Sequence, residues 1–98
     1  FTSKEVRFRC PNECKKPVMD ELKKTVEKKP EMFTTPIKEI VTIDGMRIIL
    51  EDGFAMIRQS NTEPVFTLRF EAKSQQNCEM YQDAMVKVLD KLVKKYSE

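Results

Sequence analysis

Between residues 58 and 64 the chain reads Arg-Gln-Ser-Asn-Thr-Glu-Pro, with apolar segments on both sides, Phe54 to Ile57 before it and Val65 to Phe70 after it. A guanidinium, two hydroxyls and two primary amides crowded into one short stretch make a donor set suited to the oxygens of a phosphate monoester. Arg58 can supply a planar, bidentate pair of charge-assisted hydrogen bonds. Ser60 and Thr62 bring hydroxyls, and Asn61 brings an amide NH2. A turn here also releases backbone N–H groups from the strand ladder, and Asn61 tolerates the left-handed conformation that a tight nest of amides uses. At about 1.5–3 kcal/mol net for each charged bond, three or four such bonds support micromolar to millimolar phosphate recognition. An ordinary polar turn explains the same residues without a ligand. In both readings Glu63 is a surface carboxylate and Pro64 shapes the exit from the turn.

Other chemistries find little support. The chain has no histidine, which removes Ser-His and Cys-His nucleophile arrangements. Cys10, Cys14 and Cys78 form an odd set without a familiar metal spacing, and no metal site is expected from them. Reduced, packed thiols in a cytoplasmic protein are the expected state. With 98 residues, 40% hydrophobic and 35% charged, the composition is that of one folded α/β domain spanning 1–98. Eighteen basic residues stand against 16 acidic ones, for a net charge of +2. This balance argues against nucleic acid and membrane partners, and no basic, Phe-wedged sheet face of the kind that minor-groove binding uses is expected. No apolar run approaches the roughly 18 residues of a membrane span. The chain starts at Phe1 rather than at a methionine, and the expectation is a piece of a longer protein.

The elements that must hold the 58–64 stretch follow from periodicity. Residues 5–10 alternate, Val6, Phe8 and Cys10 against Glu5, Arg7 and Arg9, which predicts a strand with one buried face. The stretch Pro-Asn-Glu-Cys-Lys-Lys-Pro reads as a turn, with Pro17 opening a helix whose stripe is Val18, Met19, Leu22 and Val26 and which Pro30 stops. Lys23, Lys24, Glu27 and Lys28 form its solvated side. Residues 31–36 read as a connection. Strands are expected over 37–43, 46–51 and 54–58, separated by turns at Asp44-Gly45 and Asp52-Gly53. Residues 65–72 alternate again, with Phe66, Leu68, Phe70 and Ala72 on one face and Thr67, Arg69 and Glu71 on the other. A long amphipathic helix follows, with Ser74 as its N-cap and a stripe from Cys78 to Tyr96. The order β-α-β-β-β-β-α implies an α+β two-layer domain, a mainly antiparallel sheet covered by two helices.

The run DGFAMIRQSNTEPVFTLRFEA, residues 52–72, resembles the C-terminal domain of the α-D-phosphohexomutase superfamily, which carries an Arg-x-Ser-Asn/Gly-Thr-x-Pro loop before a strand ending in Glu-Ala. Arg58, Ser60, Asn61, Thr62 and Pro64 match that loop, and Leu68 to Ala72 extend the match. The rest of the chain agrees in element order. Asparagine at position 61 is more similar to the phosphomannomutase and phosphomannomutase/phosphoglucomutase group than to phosphoglucosamine mutases. The resemblance implies a TATA-binding-protein-like fold and the last of four domains. It implies an enzyme that interconverts hexose 1-phosphates and hexose 6-phosphates through a hexose 1,6-bisphosphate, acting together with the other domains of the same chain. Magnesium and the phosphorylated serine belong to those other domains in the family, so no cofactor and no catalytic residue is expected among these residues. The implied substrate-phosphate ligands are Arg58, Ser60, Asn61 and Thr62, with Arg69 as a possible secondary contact. A free-standing anion- or partner-binding α+β module without enzyme activity is the alternative.

Overall fold

The computed structural model describes residues 1–33, 35–43 and 45–97. Its elements are β1 (Val6–Arg9), α1 (Lys15–Lys28), β2 (Ile37–Val41), β3 (Met46–Leu50), β4 (Gly53–Gln59), β5 (Val65–Ala72) and α2 (Gln75–Ser97). The five strands form one sheet in the order β1-β5-β4-β3-β2, and every neighbouring pair is antiparallel. The chain leaves β1 at one edge, crosses beneath the sheet as α1, and re-enters at the opposite edge as β2. Strands β2 to β5 then return as a meander until β5 lies beside β1. This is the α+β, two-layer architecture expected from the pattern.

Alternation explains why both helices lie on one side. Met46, Ile48 and Leu50 of β3, Ala55 and Ile57 of β4, and Phe66, Leu68, Phe70 and Ala72 of β5 are buried on a common face. Val18, Leu22 and Val26 of α1, with Cys78, Tyr81, Met85, Leu89 and Leu92 of α2, cover that face. A helix shows only one apolar stripe, so each is spent on the sheet. Ser74 caps α2 as expected, its Oγ accepting the Asn77 N–H at 3.1 Å. At the far end from the 58–64 stretch, the half-buried Asp52 carboxylate accepts from Asn77 Nδ2 at 2.9 Å and from the Tyr81 hydroxyl, while Thr35 Oγ1 donates to Tyr81 at 2.6 Å. Burial alone would push this carboxyl upward, but the bonds from Tyr81 and Asn77 prevail and hold it below the usual carboxylate range.

Several boundaries differ from the sequence reading, each for a local reason. Helix α1 starts at Lys15 rather than Pro17, because a 3-10 turn over Asn12–Cys14 feeds directly into it. Pro17 still falls in the first turn, where no N–H is needed. The helix ends at Lys28, and the Lys29 N–H closes it on the Thr25 carbonyl. The expected connection begins with a 3-10 turn, Pro30–Phe33, that buries Phe33 against the edge of Tyr81. Asp44, the first residue of one expected turn, lies outside the described residues, while Gly45 has φ of 111°. The other expected turn is displaced: Glu51 and Asp52 form it, and Gly53 is already the first residue of β4, opposite Leu50 and Ala72. Gly53 is required for close approach instead, since a Cβ there would overlap the Glu71 carbonyl.

All three cysteines are free and buried. Burial, followed by the neighbouring Cys14, pushes the Cys10 thiol up to about 11.

Two outcomes are expected. Gly53→Ala lowers unfolding stability by about 2–4 kcal/mol, because the obstacle is backbone and cannot rotate away; urea melts of the two proteins measure this, and a loss below about 0.5 kcal/mol contradicts the close approach. A thiol count with a disulfide-exchange reagent at pH 8 returns three thiols in denaturant without reductant, with Cys10 the slowest to react in the native state. A count of one reveals a disulfide instead.

Candidate functional site

The 58–64 stretch is the tip of the β4–β5 hairpin. Gln59 pairs with Phe66, and the five intervening residues after Gln59 and up to Pro64 leave the ladder. Serine organises them. Ser60 Oγ accepts the N–H of Thr62 at 3.3 Å and of Glu63 at 3.1 Å, while its own N–H reaches the Val65 carbonyl at 3.2 Å. The Val65 N–H turns back to the Glu63 carbonyl at 2.8 Å. These bonds show where the expected free amides go. Those of Thr62 and Glu63 are aimed at Ser60 Oγ, whereas the Asn61 N–H has no partner among the described residues. Since Ser60 Oγ accepts both amides, its own hydroxyl proton remains available to donate.

Strand β1 and the start of α1 buttress this tip. The Cys10 N–H donates to the Pro64 carbonyl at 2.7 Å, so the chain passes from β1 into α1 directly below the loop. Lys15, only 5% exposed, lies there. Its ammonium donates to the Ser60 carbonyl at 2.7 Å and to the Glu63 carbonyl at 2.6 Å. The sequence reading missed Lys15 because it started the helix at Pro17; with the helix beginning at Lys15, that residue extends the buried stripe of Val18, Leu22 and Val26 by one turn. Glu63 is exposed as expected, but it is also ion-paired with Arg7 of β1. The bonding to Glu63 holds the Arg7 guanidinium even more firmly protonated than usual.

The expected ligands are placed as follows. Arg58, near the end of β4, is exposed, and its side chain has no partner among the described residues. Arg58 and Asn61 share the wall of a depression of about 230 Å³ with Gly45 and Gln59. Thr62 is exposed at the tip, and Ser60 is half-buried, turned toward the loop's own amides. Arg69 lies two residues beyond Thr67, the cross-strand partner of Arg58, on the same sheet face.

That face gathers charge that the whole-chain balance does not reveal. Arg7 pairs with Thr67 and Thr67 with Arg58; Arg9 pairs with Val65; Arg47 and Arg69 flank Met56. All five arginines of the chain therefore lie on the helix-free face of the sheet. A whole-chain balance conceals this; Glu39 and Glu71 share the face, but most of the acidic residues lie on helices and turns. Arg47 is occupied locally, 5.5 Å from the centroid of the Phe54 ring and 3.6 Å from Met56 Sδ. Arg58 is not. Among the described residues no cluster of histidine, cysteine or carboxylate side chains could hold a metal ion, and no helix is long and apolar enough to cross a membrane.

A sequence profile described as "Phosphoglucomutase/phosphomannomutase, C-terminal domain" matches residues 5–88. The chain belongs to this family. A phosphoglucomutase of Neisseria meningitidis serogroup B is 46% identical over 52 residues, which are 53% of this chain and 11% of that protein. A phosphoglucomutase/phosphomannomutase of Thermococcus kodakarensis is 34% identical over 80 residues, 82% of this chain and 18% of that protein. A probable phosphoglucosamine mutase of Methanosphaera stadtmanae is 44% identical over 69 residues, covering 69% and 14%. Among solved structures, a phosphoglucomutase/phosphomannomutase family protein from Burkholderia thailandensis superimposes with a TM-score of 0.70 at 32% identity, over 94% of this chain and 18% of that one. The chain thus spans between a tenth and a fifth of the length of these relatives. It corresponds to the small C-terminal domain of phosphoglucomutase/phosphomannomutase family enzymes.

In this phosphoglucomutase/phosphomannomutase domain, Ser60→Ala removes the shared acceptor of two loop amides. The expected result is a loss of about 0.5–1.5 kcal/mol in stability and faster hydrogen exchange at Thr62 and Glu63. Unchanged exchange at both positions contradicts the role assigned to Ser60 Oγ.

Proposed function

We propose that residues 1–98 act as a single substrate-phosphate-binding domain within a larger phosphohexomutase, and that Arg58, Ser60, Asn61 and Thr62 grip the phosphate. One observation supports this above others: Arg58 and Asn61 wall the same depression with their side chains unpaired among the described residues, at the tip of a hairpin tied down from below. A phosphate dianion supplies the acceptors these donors lack. The guanidinium gives two parallel bonds, the Asn61 amide groups and the Ser60 and Thr62 hydroxyls the remainder. Arg69 lies close enough along the face to add positive potential.

The parent enzyme, on this reading, interconverts hexose 1-phosphates and hexose 6-phosphates through a hexose 1,6-bisphosphate. The reacting end of the sugar alternates between C1 and C6, so the other end needs an anchor indifferent to which carbon bears its phosphate. A loop of hydrogen-bond donors meets that need. Its binding energy, realised away from the reacting bond, holds the reacting group in place for chemistry performed by other domains. On this reading the magnesium expected for the parent and its phosphorylated serine are supplied by the other domains, which perform the chemistry while this chain holds the phosphate. The partners are then hexose phosphates and the neighbouring domains of the same chain, in the cytoplasm. Asn61 favours the phosphomannomutase/phosphoglucomutase group within the superfamily.

Arg58→Ala, made in the parent enzyme, should lower kcat/KM by about 30- to 1000-fold, equivalent to roughly 2–4 kcal/mol of lost transition-state stabilisation. The loss should appear in both directions of the reaction. Arg58→Lys recovers part of it, because the charge returns without the planar fork. Coupled assays starting from glucose 1-phosphate and from mannose 1-phosphate measure this, and activity within about threefold of wild type for Arg58→Ala removes the loop from the mechanism.

A further inference from the structure

Lys15 is the one charged side chain buried among the described residues, and the phosphate reading makes no use of it. Its ammonium has three donors, two of which reach the carbonyls of Ser60 and Glu63. No carboxylate lies within ion-pair distance of it among the described residues. Buried lysine charges without an anionic partner are rare, since carbonyl dipoles only partly replace water. Of the carboxylates nearby, Glu63 is paired with Arg7, and Glu13 sits in the 3-10 turn before the helix. The first turn of α1 contains no acidic residue, and Lys16 follows directly.

The geometry of one peptide unit links this cation to the site. The Ser60 carbonyl and the Asn61 N–H belong to the same planar group, and no described peptide bond is cis. In a trans peptide these two dipoles point in opposite directions. Because the carbonyl points down to Lys15, the N–H must point up, away from α1. That N–H is the loop amide left without a partner, next to the Asn61 side chain and the Arg58 depression. Accepting a charged hydrogen bond at the carbonyl also polarises the peptide, so its N–H becomes a stronger donor. The bond to the Glu63 carbonyl ties the other end of the turn to the same ammonium, which fixes the loop's pitch as well as this one plane.

We propose that Lys15 is a positioning residue for phosphate recognition, holding the Ser60–Asn61 peptide so that the Asn61 N–H faces the phosphate and placing a fixed positive charge behind it. This rests on the reading of 58–64 as a phosphate loop. The bound dianion and the buried ammonium then face each other across one peptide, and each offsets the charge of the other. Lysine fits because a compact ammonium on a long apolar stem can reach two converging carbonyls from a helix below; a planar guanidinium is bulkier.

The test uses the 98-residue chain, isotopically labelled, titrated with inorganic phosphate at a pH where the dianion dominates. In wild type, saturation should move the Asn61 amide proton downfield and shift the Lys15 Nζ resonance. Lys15→Met, which keeps the stem and loses the charge, should weaken binding by roughly tenfold or more and abolish the Asn61 shift, while Arg58 signals still respond. Lys15→Arg should restore part of both. A mere structural role for Lys15 would lower stability without selectively silencing Asn61. Binding by Lys15→Met within about twofold of wild type, with the Asn61 shift intact, overturns the proposal while leaving the phosphate loop standing. Absence of any loop response in wild type overturns the phosphate reading itself, and this inference with it. If Lys15→Met does not fold, wild type decides: a Lys15 Nζ signal that moves on saturation and keeps its hydrogen-bond coupling to the Ser60 carbonyl supports the proposal, and one unmoved by phosphate refutes it.

Discussion

The one-sided burial of the sheet is the constraint on which the remaining features depend. Alternation in β3, β4 and β5 places every fully buried side chain of these strands on the face that α1 and α2 cover. With both helical stripes committed there, the opposite face stays partly open to water, and Ile49, Phe54 and Met56 share it with polar and charged side chains. The arginines are found on it. Arg58 and Arg7 thus face the same way not through any local signal but because each alternates with residues that point toward the helices. A residue inserted into β4 would flip Arg58 into the core and Ile57 into solvent, so the core dictates the register of the site.

The hairpin tip is positioned by topology more than by its own sequence. Strand β1 pairs with the start of β5, and the chain then turns straight into α1, which brings Lys15 under carbonyls 45 and 48 residues further on. Local bonding through Ser60 Oγ would suffice for a turn. The buried ammonium converts that turn into one whose peptide planes are set from below.

Most of the architecture was legible in the sequence, because period-two and three/four spacing record which face of each element is buried. Val65–Ala72 matched residue for residue, and so did Ser74 as a cap. Less legible were features that depend on what lies opposite in space. Gly53 reads as a turn glycine after Asp52, yet its absence of a side chain answers the Glu71 backbone across the sheet. Lys15 reads as one of many surface lysines, because burial of a charge is decided by carbonyls distant in sequence. The arginine-bearing face was hidden by averaging: net charge counts residues without regard to the side of the sheet they occupy. Of the candidate site, residue types and position were readable from Arg58 to Pro64, whereas the inward aim of the Thr62 and Glu63 amides was not.

The crossover from β1 to the far edge also has a kinetic consequence. Strands β2 to β5 join only to sequence neighbours and can zip as successive hairpins, each closing a short loop. Strand β1 has nothing to pair with until β5 exists, and its pairing spans some sixty residues (Val6 opposite Leu68), so its closure entropy is the largest in the sheet. The Lys15 bonds to the hairpin tip share that long closure. The β1 and α1 support beneath the hairpin tip is therefore the last part to be assembled on the way in and the first to loosen on the way out, while the meander itself can persist.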